Sequence, residues 1–369
     1  MAGIYIHIPF CKSRCIYCGF YSTTSLEIRQ RYVDAVCREL AIRRGSTVST
    51  IYLGGGTPSQ LTINQLCQIL NAIHKYNKVE NDAEITIEAN PDDVTPTFAE
   101  GLLSLSINRV SMGAQTFDDK RLHWLHRRHT ALQVSLAVER LREAGIRNIS
   151  IDLMYGFPEE SIDQWERDIS QALMLHPDHL SAYCLMVEEG TVLFEQMKNE
   201  KLKMRNDNEE LERQMYYTLI ERLTAAGYEH YEISNFARPG YRSRHNSSYW
   251  DGTPYIGIGA AAHSYDVLTR SWNVSNLKLY IEGMEQGERR FEEERLDDNT
   301  RYNDLITVAL RTCEGLDLAA LSERHRLYCL RSARRFIDNG LLTLHDSHLV
   351  LTRNGLFVSD MIMSELMMV

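Results

Sequence analysis

The sequence predicts an α/β fold: a parallel sheet curled into a partial six-unit (β/α)6 barrel, followed by a smaller α+β appendage. Three observations predict it. Six short apolar runs alternate with helix-period segments in the first half, helix-start signals fall between the runs, and the pattern changes near residue 285. Strands alternating with helices pair in parallel through right-handed crossovers. Six units fall short of the usual closed barrel of eight. At 369 residues the chain has room for two domains.

The strand candidates are Ile4–Ile8, Thr50–Leu53, Glu84–Glu88, Arg109–Met112, Ile149–Leu153 and His179–Leu185. Thr62-Ile63-Asn64-Gln65 and Ser161-Ile162-Asp163-Gln164 read as capping boxes opening helices, and Thr95 precedes a proline at a first helical position. A helix is expected from Asn208 to Ala226, stopped by Gly227, and then an aromatic, loop-rich stretch from Tyr228 to Tyr265. Glu282–Asp298 carries eight acidic and three basic residues, which suggests a solvated linker or exposed helix. Beyond it, Tyr302–Arg311, Leu318–His325 and Cys329–Asn339 read as three helices. Leu341–Leu344 and Leu349–Leu351 read as a hairpin, and together these resemble a winged helix. The tail Met361–Met368 has an apolar face suited to docking on the barrel. The resulting division is 1–230 for the barrel, 231–285 for the aromatic extension and 286–369 for the winged-helix-like domain.

Composition excludes several classes. Hydrophobic residues make up 44%, enough for a packed core. The net charge of −10 argues against nucleic acid or an anionic membrane as partner, and residues 301–369 balance eight Lys+Arg against eight Asp+Glu. No run approaches the roughly 20 apolar residues of a membrane span, and the N-terminus lacks a signal-peptide pattern. The chain reads as soluble and cytoplasmic. Its eight cysteines therefore do not read as a disulfide framework.

Three of them form Cys11-x3-Cys15-x2-Cys18, directly after the first strand. Thiolates suit zinc or iron–sulfur clusters, and a closed zinc site needs a fourth ligand that this loop lacks. A zinc site completed by a distant histidine, or simply buried thiols, remain open on spacing alone. Cys37, Cys67, Cys184, Cys313 and Cys329 are expected to be core residues.

The C-x3-C-x2-C run resembles the signature of the radical S-adenosylmethionine (SAM) superfamily. That resemblance implies a [4Fe–4S] cluster on Cys11, Cys15 and Cys18, with SAM chelating the remaining iron, and a partial six-unit barrel. Further polar residues follow the strands: Gly54-Gly55-Gly56-Thr57, Glu88, Gln115, Arg127 and Asp152. In α/β barrels such strand ends converge on one face. A carboxylate there can accept from an ammonium or ribose hydroxyls, and an arginine can bind a carboxylate. With Tyr5-Ile6-His7-Ile8-Pro9-Phe10-Cys11, they resemble the subfamily of oxygen-independent coproporphyrinogen III oxidase and the related heme chaperones. The resemblance implies SAM contacts from Tyr5, Gly56, Thr57, Glu88, Gln115, Arg127 and Asp152, and places Tyr17 near the adenine.

Two features separate the oxidases from the chaperones. The oxidase pattern has a further cysteine two residues after the third ligand, where this chain has Phe20. In addition, His245-Asn246-Ser247-Ser248-Tyr249-Trp250 resembles the H-N-x-x-Y-W motif linked with heme in the chaperone group. An imidazole is a good heme ligand, and a tryptophan offers a flat apolar face. The expectation is a heme carrier with no catalytic residues assigned, passing heme to an acceptor protein. The alternatives are an oxidative decarboxylase of coproporphyrinogen III, and a winged-helix regulator sensing iron or redox state.

Overall fold

The first strand turns Ile4, Ile6 and Ile8, all inaccessible, to one face of the sheet, and His7 on the other face is 6% exposed. The computed structural model describes residues 2–199 and 209–368. The strands β1 (Ala2–Ile8), β2 (Thr47–Gly55), β3 (Lys78–Ala89), β4 (Arg109–Gln115), β5 (Asn148–Tyr155) and β6 (His179–Cys184) lie side by side in chain order, all parallel. Thr62 and Ser161 each accept from the backbone N–H three residues on and complete capping boxes. Thr95 caps the helix that begins at Pro96.

The stretch 231–285, read from the sequence as an aromatic extension, contributes strands to this sheet. β7 (Glu229–Glu232) and β8 (Asn235–Ala237) continue it antiparallel beyond β6. On the other side β9 (Tyr255–Ile258) pairs parallel with β1, and β10 (His263–Tyr265), β11 (Thr269–Asn273) and β12 (Phe291–Arg295) follow antiparallel. Among the described residues the sheet has twelve strands, ordered β12-β11-β10-β9-β1-β2-β3-β4-β5-β6-β8-β7, and β1 does not meet β6. The sheet is open. The acidic segment read as a linker contributes β12, whose residues are exposed throughout, so no buried face marked it as a strand.

A second core gathers Tyr302, Ile306, Leu316, Cys329, Phe336, Leu349, Ile362 and Leu366 around a small sheet. That sheet comprises β13 (Leu316–Asp317), β14 (Leu342–His345) and β15 (His348–Leu351), ordered β13-β15-β14. Of the two helices expected over 318–339, the first is only a turn at Leu318–Ala320. Ser322 then caps one continuous helix, Glu323–Asp338. The tail helix Ser359–Leu366 buries Ile362, Met363 and Leu366 in this second core rather than on the barrel. Helix Glu209–Ala225 matches the predicted one, whose first residue, Asn208, lies outside the described residues. Of the five cysteines expected in cores, only Cys329 is fully buried, and Cys313 is exposed.

Candidate functional site

Residues two apart on a strand share a face, and the C-terminal halves of β2 to β6 turn one such face toward a common cavity of about 380 Å³. Tyr52, Glu88, Ser111, Gly113, Asp152, Met154, Ser181 and Tyr183 line it from five adjacent strands, so the sheet is concave here. Cys11, Cys15 and Cys18 line it as well.

The cysteine loop is held by its backbone. Thr23 N–H donates to the Pro9 carbonyl at 2.6 Å, Cys11 N–H to Thr23 at 2.9 Å and Cys18 N–H to Cys15 at 3.3 Å. Gly56 N–H donates to the Ile8 carbonyl at 2.9 Å. A Cβ on Gly56 would lie 2.9 Å from that oxygen and 3.1 Å from Cys11 Sγ, so glycine is what lets the second loop close on the first. Thr57 Oγ1 lies 3.4 Å from Cys11 Sγ. All three cysteines are free thiols, and burial pushes Cys11 and Cys18 above the usual thiol range. Among the described residues no three metal-binding side chains converge tightly enough for a single ion. Soft sulfur donors set around a cavity suit a cluster with several metal atoms better than one zinc.

Glu88 accepts from Tyr52 Oη at 2.9 Å and from Gly55 N–H at 3.0 Å. Burial, the largest cause, pushes its carboxyl up to about 7. The Asp152 charge adds to the rise, and the two hydrogen bonds oppose it. Asp152, held by Ser111 Oγ at 3.3 Å, is likewise raised by burial. Arg127 donates to Gly113 O at 2.6 Å, to Asn90 Oδ1 at 2.7 Å and toward Cys15 Sγ at 3.6 Å. It thereby ties β4 to the cysteine loop. Gln115 lines the cavity from a left-handed backbone at φ +67, where β4 slips register against β5. Such strain in a non-glycine residue persists where its surroundings over-determine it, often at functional sites. Tyr17, Gly56 and Thr57 also line the cavity.

Tyr5 is absent from the lining. Its hydroxyl meets His7 Nδ1 at 3.1 Å, and its ring lies beside Tyr52 at 6.1 Å and His245 at 6.4 Å. Of the aromatic motif, on helix Arg244–Trp250, only Asn246 reaches the cavity. His245 is fully buried. Nδ1 meets Thr50 Oγ1 at 2.8 Å, Nε2 meets Tyr249 Oη at 2.9 Å, and the ring stacks on Tyr52 at 5.0 Å. Burial, with Arg109 adding, pushes its pKa down to about 3, so the ring is neutral. Trp250 lies under the Arg311 guanidinium at 4.8 Å.

Sequence reasoning missed Tyr52, Asn90, Ser111 and Ser181. Ser111 and Ser181 were findable as polar interruptions of apolar strands. It also missed Arg109, 1% exposed, whose Nε and Nη1 have no hydrogen-bond partner among the described residues.

A model of the radical SAM superfamily matches residues 5–172, and one of the HemN C-terminal domain matches 296–358. The heme chaperone HemW of Mycobacterium tuberculosis is 35% identical over 99% of this chain and 94% of its own. That of Bacillus subtilis is 35% identical over 88% of this chain and 87% of its own. Among solved structures, coproporphyrinogen III oxidase (HemN) from Escherichia coli superposes with a TM-score of 0.84 at 23% identity. It covers 99% of this chain and 89% of that one, a likeness of fold. No described helix is long and apolar enough to cross a membrane.

Proposed function

The chain belongs to the radical SAM superfamily and, within it, to the family of the heme chaperone HemW, and from that membership we propose that it binds heme and passes it to an acceptor protein. The family implies an iron–sulfur cluster and SAM. In this reading the cluster is a [4Fe–4S] centre on Cys11, Cys15 and Cys18. Gly56, Thr57, Glu88, Gln115, Arg127 and Asp152 take SAM beneath it, with Tyr17 near the adenine. Held by these thiolates, such a cluster would provide a one-electron redox centre beside the cavity. This chain's own groups bind and orient: Glu88 and Asp152 accept from ammonium or hydroxyl, and Arg127 fixes the loop that carries Cys15. The buried His245, bonded to the half-buried Tyr249, backs the Tyr52 ring that lines the cavity, and Asn246 lines it too.

The observation that carries the heme reading is Phe20. It stands where the oxidase pattern has a further cysteine, lines the cavity and is 69% exposed. An apolar plate there suits holding a porphyrin and offers no ligand or acid for its chemistry. The experiment is anaerobic reconstitution of the cluster, followed by parallel hemin titration and coproporphyrinogen III turnover. Stoichiometric heme uptake without decarboxylation is expected. Turnover to protoporphyrinogen IX without stable heme binding would replace this reading with the oxidase one.

A further inference from the structure

The mouth of the cavity carries side chains for which the cofactor site has no use. Phe20, Tyr183 and Met186 all line it and are 69%, 44% and 67% exposed. Single exposed apolar residues need no explanation, but a group on one opening marks a binding surface. This group has a firm base. A small core of Ile16, Leu125, Met154, Phe157, Leu185 and Leu193 lies nearby. Across it Ile16 N–H donates to Leu125 O at 3.3 Å and Leu193 N–H donates to Ile16 O at 2.9 Å. The cysteine loop, the 125–127 turn and the 185–193 segment are thus fastened together.

Two polar groups share the opening. His126 lines it from a left-handed backbone at φ +62, and its exposed ring has no hydrogen-bond partner among the described residues. Arg14 also lines it, is exposed and forms no ion pair among the described residues. Flat apolar plates, an unengaged imidazole and an unpaired guanidinium together fit a disc-shaped apolar ligand with a central metal and carboxylate arms. His245 differs on each count, being inaccessible and engaged at both nitrogens.

We infer that heme docks on the cavity mouth against Phe20, Tyr183 and Met186, with His126 toward its iron and Arg14 toward a propionate. The inference rests on the heme-chaperone reading and assigns that reading a seat apart from the H-N-x-x-Y-W helix.

The test is hemin titration of the reconstituted full-length chain, followed by absorbance, with SAM binding as the check on fold. The double variant Phe20→Glu/Met186→Glu should weaken hemin binding about tenfold or more while SAM still binds. His126→Ala should move the Soret band. Leu344→Glu, which removes a 45% exposed apolar residue from β14, should bind hemin as the parent does. Wild-type affinity in the double variant overturns the seat, as does an equal loss in Leu344→Glu or a loss confined to His245→Gln. An unmoved Soret band in His126→Ala overturns the iron ligand. A parent chain that takes up no hemin overturns the chaperone reading itself, a separate outcome.

Discussion

At the scale of single residues, Glu88 and Gly56 make the site testable. The Glu88 carboxyl sits at about 7 when folded, above its unfolded value near 4.3. The folded state therefore takes up this proton first as pH falls. Its contribution to stability is present below about 4.3 and is lost as pH rises through 7. Glu88→Gln should raise the denaturation midpoint at pH 8 relative to the parent. A ligand that needs the carboxylate meets it mostly ionised at pH 8 and mostly protonated at pH 6. SAM affinity in the parent should then be about tenfold weaker at pH 6, and in Glu88→Gln weak and flat with pH, read by calorimetry. Gly56→Ala would press a methyl on Ile8 O and Cys11 Sγ, and should lower iron content after reconstitution with little change in circular dichroism. Glu88, Gln115 and Asp152 stand out in the sequence as polar residues on apolar strands and line the cavity, and Arg127 reaches it from the turn after helix Asp119–Trp124. A linear motif does not show which hydroxyls meet a ring's nitrogens, as those of Thr50 and Tyr249 do at His245.

At the scale of elements, the helix starts were legible because capping chemistry is local. Ser161 accepts from Gln164 N–H, and the Gln164 carboxamide oxygen accepts from both Ser161 N–H and Arg121. Ser161→Ala should cost about 1 kcal/mol of stability, seen as a lower urea midpoint at unchanged slope. Elements fixed by distant partners were not legible. β12 is a strand only because β11 lies beside it, with Glu292, Glu293 and Glu294 opposite Trp272, Ser271 and Arg270. Its outer edge is unpaired, and charge on such an edge blocks pairing with other chains. Glu292→Val/Glu294→Val should increase self-association in light scattering.

At the scale of the whole molecule, the two cores meet at several places, among them ion pairs Arg242–Glu314, Arg270–Asp304 and Arg353–Glu221 and an exchange of backbone and charge around Arg311. Ile233 N–H donates to Arg311 O at 3.0 Å, and Cys313 N–H to Tyr231 O at 3.1 Å, which seats the C-terminal unit against β7. The Arg311 guanidinium lies 3.5 Å from Glu232, a carboxylate 2% exposed, and covers the Trp250 ring. Glu232 also accepts from Ser234 N–H and the Asn235 amide, so it is bound for burial only while its cation stays. Burial pushes its carboxyl up and Arg311 holds it down. Breaking a buried pair from one side costs about 3 kcal/mol when fully enclosed, and less here because Arg311 is about a quarter exposed. Arg311→Ala strands Glu232, whereas Arg311→Ala/Glu232→Gln removes the stranded charge. The single variant should therefore show a lowered melting temperature that the double variant partly restores. Because Trp250 loses its cover in both, its fluorescence should shift to the red in both. A shift without restoration would mean that the cation acts on the aromatic helix alone, and the seating of the C-terminal unit would then owe nothing to the Arg311–Glu232 pair.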